Sequence, residues 1–185
     1  FSSKYGFPPI SRDNIRYDKS LGGGILNDAG CYPINASRML FESEPRGVFC
    51  NLTMDKETQV DTKATLLMDF DDGKQSQSSV GYDLDYQSNY RLWASDGSLS
   101  LTRAYNIPPD MQARLNIKNN STEKEILIEP VNHFQLMVES FSKELIKSNS
   151  CKYNFEEDLL NQAKVMEACR ISNDEKRYVE TKEIK

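Results

Sequence analysis

The stretch Leu21-Gly22-Gly23-Gly24-Ile25-Leu26-Asn27-Asp28-Ala29-Gly30-Cys31-Tyr32-Pro33-Ile34 decides how the rest of the chain is read. Three glycines run into an amphipathic segment that reaches Phe41. A glycine-rich lead lets backbone approach a neighbour closely, because no Cβ stands in the way. Ile25, Leu26, Ala29, Ala36, Met39 and Leu40 recur with helical period. The spacing predicts a helix from Gly24 to Phe41, ended by Ser43-Glu44-Pro45. Asp28 and Tyr32 stand four residues apart, which puts a carboxylate and a phenol on one face. Such a pair can hold and deprotonate a hydroxyl. Pro33 removes a donor and crowds the preceding turn, so a kink is expected just after Tyr32.

Upstream, Phe1 to Asp18 reads as loop, broken by Pro8-Pro9. Downstream, Gly47 to Met54 reads as a strand. Thr62 to Phe70 alternates, with Ala64, Leu66, Met68 and Phe70 on one face, the pattern of a half-buried strand. Asp71-Asp72-Gly73 is a hairpin turn, and the return strand Lys74 to Tyr82 is polar enough to suggest an edge or a wet surface. Tyr90 to Ala94 with Ser98 to Thr102, and Gln112 to Lys118 with Glu123 to Ile128, make two more hairpins. Pro130 starts a second helix, which Phe134, Met137, Val138, Phe141 and Leu145 carry to about Ser148. Asn154 caps a third that uses Leu159, Leu160, Ala163, Met166 and Cys169. The charged tail from Asp174 frays or adds a short strand. The sum is a single α+β domain: an open, mainly antiparallel sheet with helices on one face and the other face left for a partner.

The chain has 185 residues and a net charge of −5 without a basic block, which argues against nucleic acid as a partner. No apolar run nears the roughly 20 residues that span a membrane. Cys31, Cys50, Cys151 and Cys169 fit no zinc or redox spacing and read as free thiols of a reducing, cytoplasmic compartment. Cys31 is either a small buried side chain or a nucleophile beside Tyr32. His133 reads as a helix cap or a solvent-exposed side chain. The run Glu156-Glu157-Asp158 reads as a helix start favoured by the dipole, so no metal site is expected.

From Gly22 to Tyr32 the chain resembles the C-terminal domain of the glucose–fructose oxidoreductase / inositol dehydrogenase (Gfo/Idh/MocA) family, whose pattern there is Gly-Gly-Gly-x-Leu-x-Asp-x-Gly-x-His/Tyr. With Asn14-Ile15-Arg16, Cys31-Tyr32-Pro33-Ile34 and Glu44-Pro45, it is most similar to the branch of dimeric dihydrodiol dehydrogenases and NADP-dependent aldose dehydrogenases. The resemblance implies an NAD- or NADP-dependent oxidoreductase acting on a sugar, polyol or cyclic diol. It implies an N-terminal dinucleotide-binding domain upstream of Phe1 that holds most of the cofactor, so this piece alone is expected to be inactive. It implies Tyr32 as acid/base, activated by a lysine from that upstream domain, and Asp28 as the acceptor that positions substrate. Gly23 and Gly24 would lie beside substrate or cofactor. Arg16 would contact an anionic group there, or is a surface arginine. Asn27 departs from an apolar family position and either enters the site or faces water. Loops at Pro8 and Asn106 and the strand near Gln77 are expected to set the substrate. The family assembles through its sheet, which implies a homodimer or homotetramer. The competing expectation is a catalytically silent binding or assembly protein of the same fold.

Overall fold

The computed structural model describes residues 1–146 and 154–185. Among them, nine strands form one sheet. In chain order they are β1 (Ser2–Gly6), β2 (Gly47–Met54), β3 (Asp61–Asp69), β4 (Gln75–Gly81), β5 (Gln87–Ala94), β6 (Gly97–Thr102), β7 (Ala113–Asn119), β8 (Glu123–Ile128) and β9 (Val179–Glu180). Their order across the sheet is β8-β7-β6-β5-β1-β4-β3-β2-β9. Only the β1–β4 pair is parallel. Three helices accompany the sheet: α1 (Cys31–Phe41), α2 (His133–Ile146) and α3 (Phe155–Glu175). The fold is α+β, as the hairpin pattern predicts.

The alternation of side chains sets one face of the sheet against α1 and α3. Val48 and Cys50 of β2 and Leu66 and Met68 of β3 meet Leu26, Ile34, Val165, Ala168 and Cys169 in one core cluster. A second cluster is aromatic, with Tyr5, Tyr17, Tyr82 and Tyr105 around Ile25, Ala29, Ala64 and Val80. Where β9 stops, two α3 side chains continue the pairing of β2. Ser172 Oγ accepts the Cys50 N–H at 2.9 Å, and Asn173 Oδ1 accepts the Leu52 N–H at 2.8 Å. These would otherwise be buried strand donors without partners. Arg38 pins α1 to α3 from inside their contact. Its guanidinium donates to both Glu44 carboxylate oxygens, to Asp158 Oδ1 at 2.9 Å and to Gln162 Oε1 at 2.8 Å. All three guanidinium nitrogens are thereby engaged, which is what a buried charge requires.

Four expectations are corrected. The opening segment is not all loop: Ser2–Gly6 is β1, in mid-sheet, with Ser3 and Tyr5 turned inward. Of the two placements expected for the polar strand β4, the edge is ruled out, since it runs between β1 and β3, while the wet surface holds on its outward face. Its inward Ser76 and Ser78 are small enough to lie under the helices, while Gln75, Gln77 and Ser79 face outward. The irregularity near Pro33 lies before Tyr32, not after it. Leu26–Gly30 is a π-helical turn that feeds α1, so the turn that a proline ring would crowd is already widened. Finally, α2 buries none of its residues, and Leu159 and Leu160 of α3 are exposed, as is Met39 of α1. Their apolar period is real, but these side chains stay exposed, even though Phe141 of α2 packs edge-on against Phe155 of α3. The expected end of α2 near Ser148, and Cys151, lie outside the described residues.

Cys31, Cys50 and Cys169 are free thiols, and β9 is the short strand anticipated for the tail. Among the described residues, nothing covers the sheet face opposite α1 and α3, which is polar and dotted with exposed Phe49, Leu67 and Trp93. Among the described residues no helix is long and apolar enough to cross a membrane.

The aromatic cluster makes a pH prediction. Burial pushes the Tyr5 phenol from 10.0 up to about 12, and pushes Tyr82 and Tyr105 higher still. The unfolded chain therefore releases these protons first, and above its ordinary tyrosine range native stability falls as pH rises. We expect melting temperature to be flat near neutrality and to drop steeply above about pH 10. Tyrosinate absorbance should then report these rings ionising only together with unfolding. Their ionisation in a chain still folded by circular dichroism would refute this.

Candidate active site

The glycine-rich lead works by what it lets the chain approach. A Cβ at Gly23 would come within 2.6 Å of the Arg16 carbonyl oxygen and 2.8 Å of that of Asp18. One at Gly24, where φ is +119°, would overlap the Asp61 carboxylate. The Gly24 N–H donates to the Arg16 carbonyl at 3.0 Å, and the Gly23 N–H to that of Asp18 at 2.9 Å. The close approaches of these two glycines are thus to the chain itself. They lay the loop that carries Arg16 directly against the turn that carries Asp28.

Across that contact, Arg16 Nε donates to Asp28 Oδ2 at 2.8 Å. Asn14 supports the arginine: its Oδ1 accepts the Arg16 backbone N–H at 3.1 Å. Arg16 is thus a half-exposed arginine paired with Asp28, a contact that the sequence did not suggest. Asn27 is exposed, as one of its two expected placements has it, and it is also bonded to the chain. Its amide donates to the Gly22 carbonyl at 2.9 Å and accepts from Arg170 Nη2 at 2.6 Å, tying the turn to α3. A second α3 side chain, Gln162, donates to the Cys31 carbonyl at 3.0 Å while accepting from Arg38.

Tyr32 sits at the first turn of α1. Its ring stands edge-on to Tyr5, with centroids 5.3 Å apart, and 5.6 Å from Tyr105. The residue is 40% exposed, and its hydroxyl has no hydrogen-bond partner among the described residues. Burial of the ring, then Cys31 and Asp28, push its phenol above the ordinary tyrosine value, while Arg16 pulls it back. Cys31 is pushed up too, by burial and by Asp28, which opposes a nucleophilic role. A groove of about 440 Å³ runs from Tyr32 along α1, lined by Asn35, Ala36, Met39, Tyr90, Tyr105 and Gln162 among others.

Tyr82 completes the buried side of the site. It is fully buried, its hydroxyl meets no hydrogen-bond criterion with a partner among the described residues, and burial followed by the Asp28 charge holds its phenol well above the ordinary value. Tyr5, Tyr82, Tyr105, Gln162 and Asp61 are not singled out by sequence reasoning. Only the Ser3/Tyr5 alternation in β1 offered a signal. Gln77, expected to help set the substrate, points to the opposite face of the sheet from Tyr32. His133 opens α2 and packs, tilted, on Phe134, with centroids 4.3 Å apart. Among the described residues no group of three His, Cys, Asp or Glu side chains could hold a metal ion.

Comparison with known proteins places this geometry. Residues 1–100 match the GFO/IDH/MocA C-terminal domain. The D-xylose 1-dehydrogenase (NADP(+)) 2 of Haloferax volcanii is 27% identical over 82% of this chain and 46% of its own length. A dTDP-3,4-didehydro-2,6-dideoxy-α-D-glucose 3-reductase from Streptomyces violaceoruber is 37% identical over 68% of this chain and 37% of its own length. The crystal structure of KijD10, a 3-ketoreductase from Actinomadura kijaniata in complex with NADP and TDP-benzene, superposes with a TM-score of 0.82. It is 25% identical, over 92% of this chain and 52% of that one. The chain thus spans about half the length of the first of these relatives and of KijD10, and less of the reductase. It belongs to the GFO/IDH/MocA family, as a C-terminal domain.

Proposed function

We propose that this chain is the substrate-side half of an NADP-dependent oxidoreductase that acts on a sugar or a related polyol. One observation carries the reading: the Tyr32 hydroxyl is open and has no hydrogen-bond partner among the described residues, while its ring is braced by Tyr5 and Tyr105. A group that exchanges a proton with substrate needs a fixed position and a vacant hydrogen-bonding atom. The dehydrogenase and reductase relatives, and the NADP in the KijD10 complex, supply the reaction class and the cofactor.

Tyr32 Oη gives a proton to a substrate carbonyl oxygen in reduction, or takes one from a hydroxyl in oxidation. Asp28 accepts a hydrogen bond from a second substrate hydroxyl through the oxygen that Arg16 does not occupy. Arg16 Nε, bonded to the other oxygen, fixes how the Asp28 carboxylate is turned. Gly23 and Gly24 act through the chain, by bringing Arg16 to Asp28. A nicotinamide cofactor supplies or accepts the hydride when bound. The glycines are a poor fit for its pyrophosphate, because they follow a short helical turn rather than a buried strand, and their open sides are filled by Arg16 and Asp61. We therefore assign most cofactor contacts, and the cation that would activate Tyr32, to an N-terminal domain outside this chain. Assembly as a homodimer or homotetramer uses the open sheet face, where Phe49 and Leu67 stand side by side on β2 and β3.

In the complete protein, Tyr32→Phe should keep NADP affinity and lower turnover of an aldose or keto-sugar by about 10²-fold or more. Steady-state nicotinamide absorbance across a sugar panel reads this. Turnover near wild type in the variant would discard the assignment, and cofactor binding with no turnover of any substrate in the wild type would favour the silent assembly protein. On the same protein, Phe49→Asp with Leu67→Asp should reduce the mass seen by light scattering, since charge on an apolar patch opposes its burial. An unchanged mass would move the interface elsewhere.

A further inference from the structure

We propose that Asp61 is the positioning residue for the turn that presents Asp28 and Tyr32. The inference rests on the reading of Tyr32 as the proton-transfer group. The helical run from Leu26 onward starts without a cap of its own. Ile25 precedes it and makes no side-chain capping bond, so its first N–H groups look outside the run for acceptors. One finds Asp61, 35 residues away: Asp61 Oδ2 accepts the Leu26 N–H at 2.6 Å. The other carboxylate oxygen lies against the α-carbon of Gly24, where a Cβ would overlap it and would come 3.0 Å from Cγ. The carboxylate is therefore wedged, with one oxygen bonded to the turn and the other packed on the residue that leads into it.

A break in the sheet aims that carboxylate. The β2–β3 ladder steps from Thr53 opposite Lys63 to Met54 opposite Asp61, which leaves Thr62 as an extra residue on β3. A bulge bends its strand and re-aims the side chains beside it. Val60, buried just before the bulge, anchors the bend, and its carbonyl accepts the Asp55 N–H at 2.8 Å. From Asp61 the lever to the site is short. The bonded Leu26 is two residues before Asp28, whose own N–H donates to the Gly24 carbonyl at 3.0 Å, and six before Tyr32. A carboxylate at the start of a helical run also opposes the positive end of its dipole. Asp61 touches neither the proposed substrate position nor Tyr32; it acts by fixing where both site residues project.

The test compares Asp61→Ala, Asp61→Asn and Gly24→Ala with wild type and with Tyr32→Phe in the complete protein. Asp61→Ala should lower kcat by about 10- to 100-fold, the scale of a misplaced catalytic group, with cofactor affinity unchanged. Asp61→Asn keeps an acceptor oxygen in the same volume and should recover most of the loss. Gly24→Ala displaces the carboxylate and should reproduce the loss with Asp61 still present. Hydrogen exchange supplies a readout that needs no turnover. In Asp61→Ala the amides of residues 26–30 should lose protection while those of α3 and β2 keep theirs. Wild-type kcat or unchanged exchange in Asp61→Ala overturns the proposal, and so does a loss that Asn fails to recover. If Asp61→Ala does not fold, Gly24→Ala and Asp61→Asn decide by the same readings. Tyr32→Phe separates the two ideas. Turnover surviving in that variant discards the role of Tyr32, whereas an inactive Tyr32→Phe beside a fully active Asp61→Ala discards only the role of Asp61.

Discussion

Two α-carbons without side chains, at Gly23 and Gly24, set the geometry on which the site depends. The Arg16 and Asp18 carbonyls fill one, and the Asp61 carboxylate fills the other. Sterics and hydrogen bonding agree there, since the atoms that would collide with a Cβ are close to those that accept the glycine and Leu26 N–H groups. Once the lead is seated, the rest follows in sequence. The Arg16 loop is close enough for its guanidinium to reach Asp28. The π-helical turn sets the direction of α1, and α1 delivers Tyr32 into the socket formed by Tyr5 and Tyr105.

The other side of this turn is held by α3, and the means is mostly polar. Burying the Arg38 guanidinium costs solvation, and pairing offsets that cost only when each nitrogen has a partner. Glu44 and Asp158 keep part of their surface in water, which limits the penalty on the acids, while the arginine itself is almost wholly enclosed. The gain is geometric. An apolar contact would let α1 slide along α3, whereas a fork bonded to three residues of two segments fixes both register and angle. Gln162 extends the arrangement to the Cys31 carbonyl, and Arg170 extends it to Asn27. The segment carrying Asp28 and Tyr32 is thus gripped from β3 below and from α3 at its side.

How much of this was legible follows from which forces are local. The three hairpins could be read because alternation and turn chemistry act over a few residues: Asp71-Asp72-Gly73 and the two-residue turn after Ala94 both fall where expected. β1 could not, because five residues with two serines carry little hydrophobic signal, and its place in mid-sheet is fixed by β4 and β5, more than seventy residues away. β4 misled for a related reason. A buried serine reads as polar in a sequence, yet under a closely packed helix its small volume is what counts. Asp28 and Tyr32 stood out through the family pattern; their spacing alone is common. Asp61, Tyr82 and Gln162 carried no local signature, since each reaches the turn from a separate element.

The protonation state of Tyr32 links this architecture to direction of reaction. Burial raises its phenol, and Arg16, the cation that opposes the shift among the described residues, is already bonded to Asp28. At neutral pH the resting form is therefore the neutral phenol, ready to donate to an oxygen that is gaining negative charge. Starting from the phenolate requires a second cation within about 4–6 Å, to offset both the burial and the Asp28 charge. On the proposed reading, a neutral Tyr32 suits carbonyl reduction, and oxidation of the alcohol would need positive charge beyond what the described residues bring to the phenol. Arg16 thus faces two ways: its Nε is bonded to Asp28, while its charge only partly offsets the upward push on Tyr32.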